Sequence, residues 1–228
     1  MSSKNETTIS VEETDKDKLF IFYNEIFLHS ARVATMSAKI AEKLNYGEAN
    51  VNKLFLAGMW HDIGKFLIMD IVCKNDLSEE QMNLLNKHSA LSFNILMQSQ
   101  DYVAPDILGL VLFHHTHPDG TGHPRIEGPV SEKIQIISAA DIVDAMTHER
   151  HYRNGKTNDK NDAINYLREC KYEERILSAI QEIEIKDEDL PDFFPPANIK
   201  IKYTEERGLD IEINSKIPSD YLGEEIYE

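Results

Sequence analysis

The sequence predicts an all-α helical bundle with a small β-hairpin-like appendage at its C-terminal end. From residue 18 to about residue 185, apolar residues recur at three- and four-residue spacing, and no comparable strand pattern occurs there. After Ile185 the acidic, proline-broken stretch "DLPDFFPPAN" precedes the alternating stretch "IKIKYTEERGLDIEIN". We therefore expect a disordered polar lead-in over residues 1–17, a helical domain over 18–185, and an acidic linker with a small β tail over 186–228.

Boundary signals divide the helical region into segments. The first is "LFIFYNEIFLHSARVATMSAKIAEKL", and Gly47 introduces the second, "GEANVNKLFLAGMWHDIGKF". A capping-box-like Ser78 to Gln81 starts the third, and the Pro-Asp-Gly sequence stops a shorter helix, "APDILGLVLFHH". "SEKIQIISAADIVDAMTHE" and "KNDAINYLRECKYEERILSAIQEI" complete the set.

Composition excludes several classes of protein. The net charge of −16 argues against a DNA- or RNA-binding surface, because phosphate backbones are bound by basic patches. Apolar stretches are too short to cross a membrane, and the polar N-terminal stretch lacks a signal-peptide core, so we expect a cytoplasmic protein. The two cysteines, Cys73 and Cys170, form no CxxC pair and are interpreted as reduced thiols.

Two pairs in the N-terminal half have metal-ligand chemistry. His61 and Asp62 are adjacent in "HDIGK", and a carboxylate can bridge two metal ions through its two oxygens. Glu25 and His29 lie four residues apart, on one face of a predicted helix in an apolar context. Each pair alone is also compatible with a solvated helix end or a surface ion pair.

The C-terminal half adds further ligand types. His88 lies in mid-helix among apolar residues, where a hydrogen-bonded core histidine is the simpler interpretation. His114 and His115 end an apolar helix, while Asp141 and Asp144 place two like charges on an otherwise apolar helix. Together these residues form a histidine and carboxylate set without thiolates, which is typical of iron, manganese or zinc in multi-metal hydrolytic centres.

In their order along the chain, these motifs resemble the HD-GYP family, the branch of HD-domain phosphohydrolases that degrades cyclic dinucleotides. The resemblance covers roughly residues 20 to 175. It rests on "HDIGK", the stretch around His88, "HHTHPDGTGHP", and "ISAADIVDAMTHERHYR". Two positions depart from the family: Thr116 replaces a glutamate, and His123 replaces the tyrosine of the Gly-Tyr-Pro signature. The second departure bears on substrate contact and base preference.

The resemblance implies a role for each residue. One metal would be held by His29, His61, Asp62 and Asp141, with Asp62 bridging to a second held by His88, His114 and His115; Glu25 matches a ligand that some members use for a third. Lys65 would contact the substrate phosphate, and with Asp62 it forms the predicted catalytic pair. Arg150 and Arg153 would grip phosphate oxygens, and Asp144 would support Lys65 or the ligands.

The implied reaction is hydrolysis of cyclic di-GMP to linear pGpG, to GMP, or to both, by a hydroxide held between the metals. The implied cofactors are two or three divalent ions, iron first, with manganese, nickel or zinc as alternatives. Two other functions stay open: hydrolysis of another cyclic dinucleotide such as cyclic GMP-AMP, and a non-catalytic signalling module. The acidic tail could bind a protein partner, and no nucleic-acid polymer or membrane is expected as a partner.

Overall fold

The computed structural model describes residues 6–11, 16–99, 103–150, 157–204 and 208–214. These residues are mostly helical, as the sequence predicts, and three strands form a small sheet. The helices are α1 (Lys16–Phe22), α2 (His29–Lys43), α3 (Glu48–Trp60), α4 (Met69–Val72), α5 (Glu79–Leu85), α6 (His88–Met97), α7 (Pro105–Leu112), α8 (Glu132–Thr147), α9 (Lys160–Glu169) and α10 (Glu174–Glu182). The strands are β1 (Glu6–Val11), β2 (Ile199–Thr204) and β3 (Gly208–Asn214).

Local signals explain where several helices begin. Gly47 is the N-cap of α3, and Ser78 caps α5 in a capping box whose other member is Gln81, as the sequence predicts. The long first helix is interrupted, because a π-helical turn over Tyr23–Leu28 separates α1 from α2. Such wide turns frequently occur at functional sites. Here the turn carries the buried Glu25 and leads directly into His29.

Helix α2 lies at the centre of the bundle. It packs against α3 and α8, α3 also contacts α7, and α6 packs against α7 and against the 3-10 turn Ile63–Ile68 that follows α3. One continuous apolar cluster fills the space between these helices. The polar residues predicted as ligands therefore project into the interior of a packed bundle.

Helices α2 and α3 approach each other closely at Gly58, which predicts the effect of a matched pair of substitutions. A Cβ atom at Gly58 would lie 2.6 Å from the Cα atom of Ala34, whereas one at Gly109 of α7 would meet nothing within 4 Å. We expect Gly58→Ala to lower the free energy of unfolding by about 2 to 3 kcal/mol through overpacking. Gly109→Ala should raise it by up to about 1 kcal/mol through helix propensity. Urea denaturation of both variants measures this difference, and equal stabilities would contradict the close approach.

The sheet has the order β1-β3-β2, with both pairs antiparallel. The predicted hairpin corresponds to β2 and β3. The expectation of a disordered lead-in does not hold for Glu6–Val11, because this segment pairs with β3 and places Ile9 opposite Ile211. Its β-branched residues favour a strand, but its partner lies about two hundred residues away, which no local pattern reveals. The division of the chain at residues 17 and 185 stays a prediction.

The linker between the helices and the sheet packs on the bundle. The ring of Phe193 stacks on that of Phe27 with centroids 4.6 Å apart, and the Trp60 indole donates to the backbone oxygen of Phe194 over 2.9 Å. Ile211 and Ile213 of β3 belong to the same apolar cluster as the helices. The tail thus shares the core of the helical bundle.

None of the described helices combines the length and apolarity that crossing a bilayer requires.

Candidate metal centre

Seven of the predicted metal ligands converge inside the bundle. Their nitrogen and carboxylate oxygen atoms form three overlapping groups, each with all ligand atoms within 4.8 Å of one another. The groups are His88 with His114 and His115, His29 with His61 and Asp62, and His61 with His114 and Asp141. All of these residues are buried except His115, which is partly exposed. Side chains from α2, α6, α8 and the ends of α3 and α7 therefore meet in one place.

The helix ends fix the orientation of three histidine rings. The Nδ1 atoms of His61, His88 and His114 lie 2.6 to 2.7 Å from the backbone oxygens of Gly58, Leu85 and Val111, respectively. Each of these carbonyls lies three residues earlier, in the last turn of a helix, where backbone oxygens lack partners within the helix. Because a carbonyl can only accept, Nδ1 carries the proton and Nε2 keeps a bare lone pair. The last turns of α3, α5 and α7 thus each orient one histidine ring so that its Nε2 could bind a metal.

The fourth ring, His29, is oriented by a carboxylate. Its Nδ1 lies 2.6 Å from Oδ2 of Asp144, so the proton belongs on Nδ1 and Nε2 is again bare. The Nε2 atoms of His29 and His61 face each other at 3.2 Å, and those of His88 and His114 at 3.3 Å. Facing lone pairs repel each other unless a cation lies between them. The donor set therefore fits two metal ions.

Asp62 lies between the two histidine groups. Its Oδ2 is 3.3 Å from Nε2 of His61, and its Oδ1 is 3.2 Å from Nε2 of His88. Oδ1 is buried and accepts no hydrogen bond from any described residue. An unsatisfied buried carboxylate oxygen is costly, and a bound cation would satisfy it. Asp62 is thus placed to bridge two ions, one through each oxygen.

Asp141 also reaches both groups. Its Oδ1 lies 3.1 Å from Nε2 of His29, and its Oδ2 lies 3.5 Å from Nδ1 of His115. Burial alone would raise the pKa of Asp141, but its contacts with the imidazoles of His29 and His115 outweigh burial and hold that pKa well below its usual value. The carboxylate is therefore ionised and available to a cation.

The two sides of the centre respond differently to protons. Burial opposes the charged form of His61, yet the carboxylates of Asp62 and Asp141 outweigh it and raise the pKa of His61. Burial, together with the neighbouring His61 and His88, lowers the pKa of His114 to about 3. Burial also holds the pKa of His115 well below its usual value. The His114 and His115 side of the centre thus stays neutral at physiological pH, as metal ligands must.

This difference predicts the acid sensitivity of the metal-free protein. His114 has a lower pKa folded than unfolded, so the unfolded chain binds more protons and stability falls as the pH drops below about 6.5. His61, with a raised pKa, is protonated in both states there and contributes no slope. Between pH 6 and pH 5, His114 alone should account for a loss of about 1 kcal/mol. Denaturation in chelator at both pH values measures it, and His114→Asn should reduce the loss.

The predicted substrate contacts differ in exposure and in their partners. Lys65 is partly exposed, and its Nζ lies 2.6 Å from Oδ2 of Asp62, so it faces the centre. Arg150 is buried and forms an ion pair with Glu25 over 2.5 Å. Asp144 contacts His29, Arg32 and Arg150, but no contact with Lys65 occurs among the described residues. Arg153 lies outside the described residues.

Glu25 does not join the three groups of ligand atoms found among the described residues. Its carboxylate is engaged by the guanidinium of Arg150. The third-metal role that the resemblance implies for Glu25 therefore gains no support from the contacts of its carboxylate.

The loop after the paired histidines folds back on His115. The backbone N–H of His123 donates to the backbone oxygen of His115 over 2.9 Å, and Thr116 donates through Oγ1 to the backbone oxygen of Pro124 over 2.7 Å. The ring of His123 lies 4.9 Å from that of His115, tilted by 32°. Thr116, where the family has a glutamate, thus closes the loop, and His123 packs beside a ligand.

Two residues at the site escaped the sequence interpretation. Arg32 donates through Nε to Oδ1 of Asp144, and Nδ1 of His148 lies 3.0 Å from that same oxygen. Each had a weak signal: Arg32 follows His29 by three residues, and His148 follows Asp144 by four, so both pairs share a helix face. These contacts make Asp144 the hub that orients His29.

Curated proteins with related sequences are phosphodiesterases. A cyclic di-GMP phosphodiesterase of Thermotoga maritima is 33% identical over 138 residues, which are 58% of this chain and 37% of that protein. The cyclic di-GMP phosphodiesterase response regulator RpfG of Xanthomonas campestris is 32% identical over 142 residues, which are 60% of this chain and 36% of that protein. The 3'3'-cGAMP-specific phosphodiesterase 3 of Vibrio cholerae is 34% identical over 140 residues, which are 60% of this chain and 30% of that protein.

The chain spans about a third of the length of these curated relatives. They are cyclic dinucleotide phosphodiesterases of the HD-GYP type, which confirms the resemblance that the motifs predict. The family model for the HD domain matches residues 26–146, a range that contains the seven converging side chains. Since this match covers more than half of the sequence, the chain belongs to the HD domain family.

Proposed function

We propose that this chain is a metal-dependent phosphodiesterase that hydrolyses cyclic di-GMP to linear pGpG, to GMP, or to both. The observation that carries the proposal is the placement of Asp62 between two histidine groups whose Nε2 lone pairs face inward. Two curated relatives named as cyclic di-GMP phosphodiesterases support the choice of substrate. We place the activity in residues 18–185, which include the whole family match.

The proposed cofactors are two divalent metal ions. His29, His61, Asp62 and Asp141 would hold one, and His88, His114 and His115 would hold the other, with Asp62 shared. When bound, such a pair lowers the pKa of water towards neutrality and neutralises negative charge on a phosphodiester. Iron is our first choice, and manganese, nickel and zinc suit the same ligands.

The residues of the chain supply the remaining functions. Lys65 lies against Asp62 with part of its side chain exposed, so its ammonium group can contact a phosphate oxygen at the centre. This local cation resolves the conflict between a protein charge of −16 and a substrate with two phosphodiester anions. Arg153 is a second proposed phosphate contact. Asp144 would act on the ligand His29 and not on the substrate, since it accepts from Nδ1 of that ring.

A second substrate is favoured by a specific observation. Three of the related proteins are named as 3'3'-cGAMP-specific phosphodiesterases, and His123 stands where the family has a tyrosine. A change beside the ligand His115 could alter which base the site accepts. Cyclic GMP-AMP is therefore our alternative substrate.

Turnover by metal-analysed protein tests the proposal. The chain is purified under low oxygen, its metal content is measured, and cyclic di-GMP, cyclic GMP-AMP and cyclic di-AMP are supplied separately. We expect cyclic di-GMP to be consumed fastest, with pGpG or GMP as the product by chromatography. Faster consumption of cyclic GMP-AMP would support the alternative. A protein that holds its metal ions yet cleaves none of the three would be a non-catalytic signalling module.

We also propose a cytoplasmic location, because the described cysteines, Cys73 and Cys170, are free thiols.

The acidic tail is a proposed partner-binding element beyond the part that packs on the bundle. The full chain and a truncated chain lacking residues 215–228 are each incubated with a cell extract, and the proteins that each one binds are compared. Identical sets of bound proteins would contradict a partner-binding role of the tail.

A further inference from the structure

A buried cluster of four charged side chains lies behind the metal centre, on the side of His29 away from its Nε2 atom. Its members are Glu25, Arg32, Asp144 and Arg150, all of them at most 7% exposed. Two carboxylates and two guanidinium groups therefore pair with one another in the protein interior. Buried charges persist in proteins when they are paired in this way.

Arg150 connects the two carboxylates of this cluster. One terminal nitrogen lies 2.5 Å from Oε2 of Glu25, and the other lies 3.4 Å from Oδ2 of Asp144. That second nitrogen is also 2.9 Å from Nδ1 of His29. The planar fork of one arginine thus spans the carboxylate that the resemblance assigns to a third metal and the carboxylate that orients His29.

These contacts conflict with a metal ion at Glu25. A divalent ion bound by that carboxylate would have to lie next to the guanidinium already in contact with it. Unlike the partly exposed ammonium of Lys65 beside Asp62, this guanidinium is buried and is also held by a second carboxylate, that of Asp144. Two cations at such short range repel each other strongly in a buried site. The carboxylate of Glu25 is therefore already paired with a cation, and a further ion there would add positive charge beside Arg150.

We propose that the guanidinium of Arg150 takes the place of a third metal ion in this chain, so that Glu25 is a partner of Arg150 and the centre holds two ions. Arg150 is then a positioning residue. By holding Asp144 beside His29, it keeps that ring in place with Nε2 directed at the metal centre. The inference rests on the metal centre of the proposed function and is independent of which nucleotide is hydrolysed.

Metal stoichiometry tests the first half of the proposal. The wild-type chain and Glu25→Gln are loaded with Mn²⁺ without oxygen, desalted, and analysed by inductively coupled plasma mass spectrometry. We expect two equivalents per chain in both proteins. Three equivalents in the wild type, falling to two in Glu25→Gln, would overturn the proposal. Two ions without any turnover would count against the proposed function and in favour of this inference.

A double-mutant comparison tests the positioning role. Affinity for Mn²⁺, measured by competition with a fluorescent chelator, should fall about tenfold or more in Arg150→Met, because that variant releases the support of a ligand histidine. The double variant Glu25→Gln with Arg150→Met should recover part of the loss, since it no longer buries an unbalanced carboxylate. Losses that simply add would overturn the pairing. Should Arg150→Met fail to fold, the stoichiometry of the wild type still decides.

Discussion

Replacing Asp62 by asparagine is expected to lower phosphodiesterase activity at least about a thousandfold, which corresponds to roughly 4 kcal/mol of transition-state stabilisation. An amide has the size of the carboxylate, but it carries no charge and offers only one oxygen to a metal. Asp62→Asn therefore loses the bridge between the His61 and His88 groups. Metal content, measured together with turnover, should fall below two ions per chain.

The substitution should leave the protein folded at a cost in stability. Burial alone would raise the pKa of Asp62, but His61 and Lys65 outweigh burial and hold that pKa well below its usual value, so the ionised carboxylate stabilises the folded state. The melting temperature of metal-free Asp62→Asn should therefore lie below that of the metal-free wild type. Asp76→Asn is the matched control, because Asp76 is exposed and should change neither metal content nor turnover. An Asp62→Asn protein with two bound ions and normal turnover would disprove the bridging role.

Gly122→Ala is expected to weaken metal binding about tenfold to a hundredfold, although Gly122 itself is not a predicted metal ligand. Its φ of +81° is a conformation that favours glycine, and a Cβ atom there would lie 2.0 Å from the backbone oxygen of His115. Either Gly122 or His115 has to move, and a displaced ligand binds more weakly. Competition with a fluorescent chelator measures the affinity for Mn²⁺.

Gly120 provides a control within the same loop. Its φ of +85° is almost the same, but a Cβ atom there would meet nothing within 4 Å. Gly120→Ala therefore suffers the backbone cost, about 1 to 2 kcal/mol, without the collision with His115. If both variants lose metal affinity equally, the effect comes from loop strain, and the position of His115 does not depend on Gly122.

The candidate metal-ligand residues could be singled out from the sequence because their chemistry is unusual for their surroundings. Asp141 in an apolar helix and His88 among apolar residues are costly to bury unless something compensates them. Their order along the chain then matches one family. The prediction that His88 lies in mid-helix is wrong, because His88 is the first residue of α6. The orientation of the histidine rings could not be predicted from the sequence. It depends on hydrogen bonds to the backbone oxygens of Gly58 and Leu85, and these can be recognised only when the positions of the helix ends are known.

The roles of the other charged residues depended on contacts distant in sequence. Arg150, a predicted substrate contact, lies beside Glu25, 125 positions away in the sequence, and no local pattern predicts that pairing. Arg32 meets Asp144 across 112 positions, and β1 meets β3 across a still longer stretch. A sequence shows which groups need partners. It does not show which of several suitable partners the fold supplies.

The central claim is that two divalent ions lie on either side of the Asp62 carboxylate. The most direct measurement is anomalous X-ray diffraction from crystals of the chain loaded with Mn²⁺ or Fe²⁺. The account predicts two strong peaks, one beside His29 and His61 and the other beside His88 and His114. No peak, or a single peak that does not contact Asp62, would contradict it.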